Sequence, residues 1–400
     1  MNVIFLTIGT FNNIEDPGIY SDLLRCVRNF GHDVCIVSSL ERRKRKNTSF
    51  TAEEGVHFLR IKIGNITKCG IFEKGISTIL IGNQYKKAIN QYLRDIKFDL
   101  VLYSTPPITL VNVVEYIKKR DGARTYLLLK DIFPQNAVDL GMLSKTGLKG
   151  FLYRYFRAKE KKLYAVSDKI GCMSPANRQY VIEHNPEVSP DKVEVCPNSI
   201  EVRDMSVTAE ERERIRNKYV LPLDKKIFVY GGNLGRPQGI PFIIDCLRTQ
   251  LNNQDAFFLI VGDGTEYHKL EAFFNEAKPS NMVLMQRLPK EDYDHMIAAC
   301  DVGLIFLDYR FTIPNFPSRL LAYMQAKLPV LACTDTATDI GKIIVENKMG
   351  WLCASNNAAN FDFLVKQILT MDLKPLGENA FKLLNNEYTV EKAAKQILGS

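Results

Sequence analysis

A glycine-rich run that follows a predicted strand is the feature of this 400-residue sequence with the clearest chemical meaning. The run reads GGNLGRPQG at 231–239, between a predicted strand at 225–232 and a predicted helix at 239–251. Glycine lets backbone N–H groups approach a phosphate, and the guanidinium of Arg236 matches phosphate oxygens. The spacing is not GxGxxG, the pattern of dinucleotide-binding turns. We therefore predict a phosphate-binding turn; an ordinary strand-to-helix turn with a solvated arginine is the alternative.

Two further segments of the second half have a similar character. VGDGTE at 261–266 again ends a predicted strand and opens a helix. In PNFPSRLLAYM at 314–324, Pro317 suits the first turn of a helix and Ser318 is an early polar position. The N–H groups of that helix start, its positive dipole end and Arg319 would together attract a diphosphate. A plain capped helix is the alternative.

In the first half, Asp131 is the carboxylate best placed for chemistry. It closes the predicted strand 124–131, at an edge where ligand-binding loops gather in parallel α/β sheets. It could take part in catalysis, or it could serve only as a cap or as the partner of a nearby cation. The nine cysteines show no CxxC spacing and the five histidines no HxxxH pair, so no metal site is predicted.

Short apolar runs alternate with amphipathic helical stretches along the chain, which is the pattern of βαβ units around parallel sheets. Buried strands are predicted at 3–9, 33–39, 99–104, 124–131, 168–174, 225–232, 256–264, 282–289, 302–307, 329–334 and 350–354. The chain length and the restart of this pattern predict an α/β protein of two doubly wound, Rossmann-like domains joined near 200–208. The N-terminus resembles a first buried strand rather than a signal peptide.

Composition excludes several classes of protein. With 46% hydrophobic and 24% charged residues, the chain is too apolar to be disordered. It has no apolar run of about 18 residues or more, so no helix is expected to span a membrane.

The excess positive charge is confined to the first half of the chain. Residues 1–200 hold 30 Lys and Arg against 20 Asp and Glu, whereas residues 201–400 hold 23 against 25. Five consecutive cations stand at 42–46, and 149–162 interleaves aromatic residues with Lys and Arg. No nucleic-acid-binding module accompanies them, so we predict no nucleic acid partner and favour an anionic membrane surface. For 149–162 the alternative is a solvated helix whose aromatic side chains pack inward.

Taken in order, GGNLGRPQG, IVGDGTE and NFPSRLLAYMQAKLPVLA resemble the retaining nucleotide-sugar glycosyltransferases of family 4, which have the GT-B fold. DIFPQNAVDLG at 131–141 resembles the DxWPxxAxxLG stretch of polysaccharide-building members. GHDVCIVSS at 31–39 and VEVCPNSIE at 193–201 resemble the family's RGHxVxVxT and VxVxPNGVD. The resemblance extends over nearly the whole chain in the family's order.

This resemblance implies two domains that face a central cleft. They would be an acceptor-binding domain at 1–205 and a nucleotide-sugar-binding domain at 206–375, with a C-terminal helix at 376–400 that crosses back to the first domain. Family members stabilise the leaving diphosphate with basic side chains and helix ends, and they need no metal and no cofactor. The catalytic residues implied are Asp131, Arg236 and Arg319. The donor, a UDP sugar, would contact Gly18, Gly232, Asn233, Gly235, Gln238, Gly262, Arg287, Asn315, Pro317, Ser318 and Leu320.

The sequence departs from the family at two glutamates. Pro314 and Ala322 stand where members have glutamates that contact the donor sugar and the ribose. Asn233 and Gln238 stand near the usual Arg and Lys of the diphosphate loop.

The resemblance implies a retaining hexosyl- or N-acetylhexosaminyl-transferase (EC 2.4). It would move a sugar from a nucleotide donor to a lipid-diphosphate-linked glycan in bacterial capsule or O-antigen synthesis. It would be cytoplasmic and peripheral on the inner face of the plasma membrane. The missing glutamates leave another function class open, a non-catalytic GT-B subunit that supports an active partner. A sugar-nucleotide epimerase of the same fold would need an acid–base set that we do not find in the sequence.

Overall fold

The computed structural model describes residues 1–53, 55–67 and 69–399, without the side chains at 71, 72, 74 and 75. The chain divides into two compact units. Unit 1 comprises Met1–Ile200 with Val390–Ser400, and unit 2 comprises Glu201–Thr389. Each unit is organised around one sheet with parallel strands at its centre.

Unit 1 is built on an eight-stranded sheet. Its strands are β1 Asn2–Leu6, β2 Asp33–Glu41, β3 Ser49–Glu53, β4 Val56–Ile63, β5 Leu100–Ser104, β6 Arg124–Leu129, β7 Lys169–Cys172 and β8 Val193–Val195. Its helices up to residue 200 are α1 Ile19–Asn29, α2 Ile71–Tyr92, α3 Val111–Asp121, α4 Gln135–Asp139, α5 Gly147–Val166 and α6 Pro175–His184. The strand order is β3-β4-β2-β1-β5-β6-β7-β8, in which only the β3–β4 pair is antiparallel.

Unit 2 is built on a six-stranded, fully parallel sheet. Its strands are β9 Lys226–Asn233, β10 Ala256–Asp263, β11 Met282–Met285, β12 Val302–Phe306, β13 Val330–Thr334 and β14 Gly350–Ala354. Its helices are α7 Ala209–Lys218, α8 Ile240–Thr249, α9 Tyr267–Ala277, α10 Lys290–Ile297, α11 Arg319–Gln325, α12 Ile340–Glu346, α13 Ala358–Leu369 and α14 Lys374–Glu387. The strand order is β11-β10-β9-β12-β13-β14.

The central strands of both sheets are almost entirely buried, which explains their continuous apolar runs. In unit 1, Phe5 and Leu102 pack with α1 in one core cluster. In unit 2, Phe228, Phe258 and Phe306 form the aromatic centre of the core. The predicted two-domain α/β class is confirmed.

The C-terminal segment consists of two helices where the sequence suggested one element from residue 376. Helix α14 belongs to unit 2, whereas α15, Val390–Leu398, belongs to unit 1 and packs against α1. Apolar Val390, Ala394 and Ile397 recur at helical spacing on the buried face of α15. Ser400, the last residue of the expected range, lies outside the described residues.

The antiparallel hairpin of β3 and β4 was not predicted from the sequence. In VHFLRIKI, the sequence of β4, buried Val56, Phe58, Ile61 and Ile63 are interspersed with more exposed polar residues. This partial alternation is the strand signal that was missed, because the other strands of the unit were recognised by unbroken apolar runs.

None of the helices within the described residues combines the length and apolarity that a membrane crossing requires.

A buried ion pair anchors the first helix of unit 2 to its sheet. Helix α7 begins with a capping box formed by Thr208 and Glu211. Nearer its end, Arg216 is buried and its Nη2 lies 2.7 Å from Oδ2 of Asp301, the residue that precedes β12. Asp301 also accepts the N–H of Ile227, the second residue of β9.

We expect Asp301→Ala to lower the free energy of unfolding by about 3–5 kcal/mol, because it leaves the Arg216 charge buried without its partner. Urea denaturation checks this value. Asp292→Ala, which breaks the exposed Lys218–Asp292 pair, is the control and should change stability little. Equal effects of the two variants would contradict an anchoring role for Asp301.

Candidate functional site

The candidate site of unit 2 lies where the strand order of its sheet reverses. Strands β9 and β12 are neighbours in the sheet, although β10 and β11 separate them in sequence. Parallel α/β sheets bind ligands at such a switch point, outside the carboxyl ends of the strands. Here the N–H of Asp308, after β12, donates to the carbonyl of Pro237, after β9, at 2.9 Å. The two loops that flank the switch point are therefore joined.

The loop after β9 is shaped by its own polar side chains. Gln238 is buried, and its Oε1 accepts from Asn233 Nδ2 at 2.8 Å and from the Gly235 N–H at 3.1 Å. Asn233 and Gln238, both expected to contact the donor, thus also hold each other. Gly232 has a φ of +124°, a conformation that favours glycine.

Arg236 stands on the exposed side of this loop, with 53% of its side chain accessible. Its Nε lies 3.7 Å from Oε1 of Glu266, a buried carboxylate that also contacts Lys269. The pairing of Arg236 is loose, so its guanidinium is free to turn toward an anionic ligand.

Arg319 is the first residue of α11, and its guanidinium lies over the ring of Tyr230, 4.3 Å from the ring centre. A Cβ placed on Gly232 would lie 3.5 Å from Nη2 of Arg319, so the arginine reaches the glycine loop. Within the described residues, Nη1 of Arg319 is buried and has no hydrogen-bond partner. Arginine stays protonated in proteins, so this is a buried cationic donor with an unused hydrogen.

Three tyrosines line the space around Arg319. Tyr230 donates its hydroxyl to the Asn233 carbonyl at 2.7 Å, which ties the glycine loop to the same ring that supports the arginine. The Tyr323 hydroxyl accepts the N–H of Gly231 at 3.2 Å, and burial raises the pKa of Tyr323 to about 12. A side chain at Gly231 would collide with the Tyr293 hydroxyl. Because these phenols stay protonated near neutral pH, they support the arginine and do not act as bases.

The segment 313–318 is fixed by the loop after β13. The N–H of Asn315 donates to Thr338 Oγ1 at 3.1 Å, and Thr338 donates to the buried carboxyl of Asp335 at 2.9 Å. Asn315 Nδ2 donates to the Ile313 carbonyl at 3.1 Å. Asn315 therefore lies at the site edge with its backbone held in place.

Three other predicted contact residues lie around the start of α11, namely Pro317, Ser318 and Leu320. The helix begins at Arg319, so Pro317 and the exposed Ser318 precede its first turn instead of forming it. The Leu320 side chain lies in the core, and its N–H donates to the Pro317 carbonyl at 3.2 Å. Contact of Leu320 with the donor stays a prediction.

Gly262 and Arg287, expected near the nucleotide, lie at the ends of β10 and β11. A Cβ on Gly262 would collide with the Gly232 carbonyl, so the glycine allows the β9 loop to pack across β10. The same loop is held there by the Leu234 N–H, which donates to the Asp263 carbonyl at 2.9 Å. Arg287 is exposed on the loop after β11.

In unit 1, Gly18 caps the start of α1. Its N–H donates to Asp22 Oδ1 at 3.1 Å, and its carbonyl accepts from the Asp22 N–H at 2.8 Å. Asp22 in turn pairs with Arg25 at 2.8 Å. Gly18 therefore lies directly before α1, where its hydrogen bonds to Asp22 hold it in place.

Asp131 lies two residues beyond the end of β6, on a half-buried loop. Its Oδ1 accepts from Asn136 Nδ2 at 2.7 Å, and its backbone carbonyl accepts from Thr105 Oγ1 at 3.1 Å. Burial raises the pKa of the Asp131 carboxyl from 3.8 to about 6, against the opposing effect of the Asn136 bond. Next to it, burial lowers the pKa of the Lys130 ammonium to about 8.

Sequence reasoning missed several of these residues. Tyr230, Tyr293 and Thr338 carried no role in the predicted site, and Lys130 was not singled out. Tyr230 ends the apolar part of β9, a signal for a core residue, and its support of Arg319 depends on a contact across 89 positions of sequence. Within the described residues no group of three or more His, Cys, Asp or Glu side chains is arranged to hold a metal ion.

Comparisons with known proteins follow the division into two units. Residues 211–383, most of unit 2, match the family "Glycosyl transferases group 1". Solved structures that are similar over the whole chain show that its two-unit α/β architecture is a GT-B-type fold.

Two individual relatives are named as glycosyltransferases. The chain is 27% identical over 293 residues to WbjE of Pseudomonas aeruginosa, named a glycosyltransferase; the match covers 73% of this chain and 71% of that protein. It is 28% identical over 251 residues to WcaI of Escherichia coli, named a colanic acid biosynthesis glycosyl transferase; the match covers 62% of this chain and 60% of that protein. The structure of HepE from Anabaena, determined with UDP and glucose, is similar in fold with a TM-score of 0.69 at 13% identity, over 100% of this chain and 98% of that one.

We expect Asp131→Asn to stabilise the protein at pH 8, by about 1–3 kcal/mol, while it lowers acceptor-dependent turnover. The carboxyl has a raised pKa, so its ionisation in the folded state costs stability above pH of about 6. The gain should shrink as pH falls below about 6 and vanish below about pH 3, where both states bind the proton. Urea denaturation across this pH range checks the sign.

The control is Asp191→Asn, an exposed carboxylate of the same unit, which should leave both stability and turnover unchanged. A loss of stability in Asp131→Asn at pH 8 would instead identify Asp131 as a structural partner of Asn136.

Proposed function

We propose that this protein is a retaining glycosyltransferase that transfers a hexosyl or N-acetylhexosaminyl group from a UDP sugar to a lipid-diphosphate-linked glycan. Its place would be the synthesis of a bacterial capsule or O-antigen. The observation that carries the proposal is the buried Nη1 of Arg319, an unused cationic donor on a guanidinium beside the glycine loop.

A buried cation without a partner is costly, and an anion that enters the site removes that cost. The diphosphate of a nucleotide sugar offers several oxygens to one guanidinium and to nearby backbone N–H groups. Arg236, exposed on the same loop, can add a second positive charge when the ligand is bound. Donor binding would therefore use Arg319 as the fixed contact and Arg236 as the mobile one.

The same charges would assist the chemical step. When the bond from the anomeric carbon to the diphosphate breaks, negative charge grows on the leaving oxygen, and preorganised cations stabilise it. In the retaining reaction the leaving diphosphate also takes the proton of the incoming hydroxyl on the same face. The role proposed for Asp131 is to orient that hydroxyl, since its carboxyl is ionised at pH above about 6.

The names of the relatives support the reaction class and the pathway. WbjE and WcaI are named as glycosyltransferases, WcaI for colanic acid, and HepE was solved with UDP and glucose. A surface polysaccharide product and a UDP donor for this chain are proposals that rest on those likenesses.

A lipid-linked acceptor calls for a protein that works at a membrane, so we propose peripheral association with the anionic cytoplasmic face. Of the five cations at 42–46, Arg42 pairs with Glu73 at 2.8 Å and Arg43 with Glu41 at 3.3 Å. Lys44, Arg45 and Lys46 are exposed and remain to attract anionic lipid.

The competing function is a non-catalytic subunit, and the buried Pro314 and the partly buried Ala322 at the glutamate positions favour it. The test is release of UDP from a panel of UDP sugars by the purified chain with a lipid-linked acceptor. Turnover by the chain alone supports the enzyme. A folded chain that turns over only with a second subunit supports the partner.

We expect Arg319→Ala to weaken UDP binding tenfold or more, since a charge-assisted phosphate bond contributes about 1.5–3 kcal/mol. Arg236→Ala should weaken it less, because that side chain is exposed before binding. Titration calorimetry with UDP measures both, with Arg248→Ala on the exposed side of α8 as the control. Unchanged affinity in both site variants would mean that the diphosphate binds elsewhere.

We expect Asn315→Ala to lower turnover far more than it lowers stability, because its amide can serve a sugar hydroxyl where the family uses glutamate. Asn347→Ala is the matched control, since it removes a similar amide-to-carbonyl bond, 2.8 Å to Ile343, on an exposed helix end. Steady-state kinetics and thermal unfolding separate the two effects. Loss of activity that only parallels loss of stability would make Asn315 a structural residue.

A further inference from the structure

Helix α5 turns an apolar stripe to the solvent. Leu148, Phe151, Leu152 and Tyr155 are all exposed, Leu148 by 90% and Phe151 by 68%. Their spacing of i, i+3, i+4 and i+7 places them on one face of the helix. Such a stripe normally packs on a core, so here it marks a surface that something else covers.

The flank of α5 next to this stripe is packed against the rest of unit 1. Phe156 meets Phe133 edge to face with ring centres 5.0 Å apart, and Leu163 and Tyr164 are buried. Inward packing of the aromatic residues of 149–162 was the alternative prediction for this segment. Phe156 does so, whereas Phe151 and Tyr155 are exposed.

The stripe is surrounded by positive charge. Residues 140–159 contain five Lys and Arg and no Asp or Glu. Of these, Arg157 pairs with Glu160 behind the stripe at 2.6 Å. Lys149 and Arg154 are exposed beside it, and the Arg154 guanidinium lies 4.6 Å from the centre of the Phe151 ring.

A second, smaller apolar stripe lies on α2 of the same unit. Ile76, Ile79 and Leu80 are exposed at i, i+3 and i+4. Both α2 and α5 contact the short 3₁₀ helix at 108–110, which follows β5, so both helices border the same part of the sheet's carboxyl edge. The Arg42–Glu73 pair brings the basic segment 42–46 to the start of α2.

We propose that the first turns of α5 insert apolar side chains into an anionic lipid surface. Apolar side chains flanked by cations are the composition that interfacial helices use to enter the headgroup region. A second copy of the chain fits less well, because a twofold interface would place the same cations against each other. The choice of lipid as the partner rests on the proposed function. The location of the surface is inferred only from the exposure and charge of these residues.

The position of the stripe gives the insertion a consequence for the site. Phe156 packs against Phe133, two residues from Asp131. A bilayer seated on α5 would therefore adjoin the loop that presents this carboxylate, on the unit proposed to bind the lipid-linked acceptor. Insertion, unlike adsorption by charge alone, would hold that loop at a fixed depth.

The experiment is sedimentation of the full chain with phosphatidylglycerol-containing vesicles and with phosphatidylcholine vesicles, each in low and high salt. Leu148→Ser/Phe151→Ser is the test variant, and Leu223→Ser/Phe363→Ser, which removes a matched exposed pair from unit 2, is the control. We expect the test variant to lower the partition coefficient at least tenfold in low salt and to abolish the binding that the unmodified chain retains in high salt. The control variant should bind as the unmodified chain does.

A charge variant, Lys44→Gln/Arg45→Gln/Lys46→Gln, should weaken binding in low salt only, because salt screens exposed charges. Equal binding of the test and control variants would overturn the proposal, as would a dimer in sedimentation velocity that only the test variant dissociates. Turnover with a detergent-solubilised acceptor, measured on the same variants, should be unchanged. If Leu148→Ser/Phe151→Ser leaves vesicle binding unchanged while this turnover persists, the proposed insertion surface is wrong and the proposed enzyme function still stands.

Discussion

The contact between the Arg319 guanidinium and the Tyr230 ring is the interaction on which the candidate site depends. The guanidinium of Arg319 lies over the Tyr230 ring, and its Nη1 is buried and unpartnered within the described residues, so one cationic donor is left for a ligand to complete. Tyr230 also holds the Asn233 carbonyl, so one aromatic ring sets the position of both the cation and the loop beside it. The arrangement is preorganised, because the Tyr230 ring holds both Arg319 and the glycine loop before any ligand arrives.

Preorganisation of this kind requires that the loops around the arginine cannot shift independently. Backbone hydrogen bonds join the loop after β9 to those after β10 and β12, and Thr338 joins the segment before α11 to the loop after β13. Glycines at 231 and 262 let these loops approach more closely than a side chain would allow. The buried carboxyl of Asp335, whose pKa is raised by burial, completes the series by holding Thr338. Hydrogen bonds thus link the loops after β9, β10, β12 and β13 into one connected structure.

Much of the fold follows from the sequence, because parallel strands buried on both faces need unbroken apolar runs. Strands β1, β5, β9 and β12 were recognisable for that reason. The β3–β4 hairpin was not, since an edge hairpin is only half-buried and alternates in polarity. Of the candidate site, sequence motifs identify the loops and Arg319 but not its surroundings. Tyr230 and Thr338 act through contacts between segments far apart in the chain, and no local spacing encodes such contacts.

The departures from the family pattern can be understood through the same charge. Family members have glutamates where this chain has Pro314 and Ala322, and each glutamate would bring a negative charge toward the start of α11. Within the described residues, no carboxylate forms an ion pair with Arg319, and the groups that act on it are the tyrosines. Without those carboxylates the site has fewer acceptors for sugar and ribose hydroxyls but a stronger positive field for phosphate oxygens. In the proposed glycosyltransferase, this replacement would shift recognition from the hydroxyl groups of the donor to its diphosphate. Neutral hydrogen-bond donors such as Asn315 would suit such a site, because they leave the cation unpaired until the ligand binds.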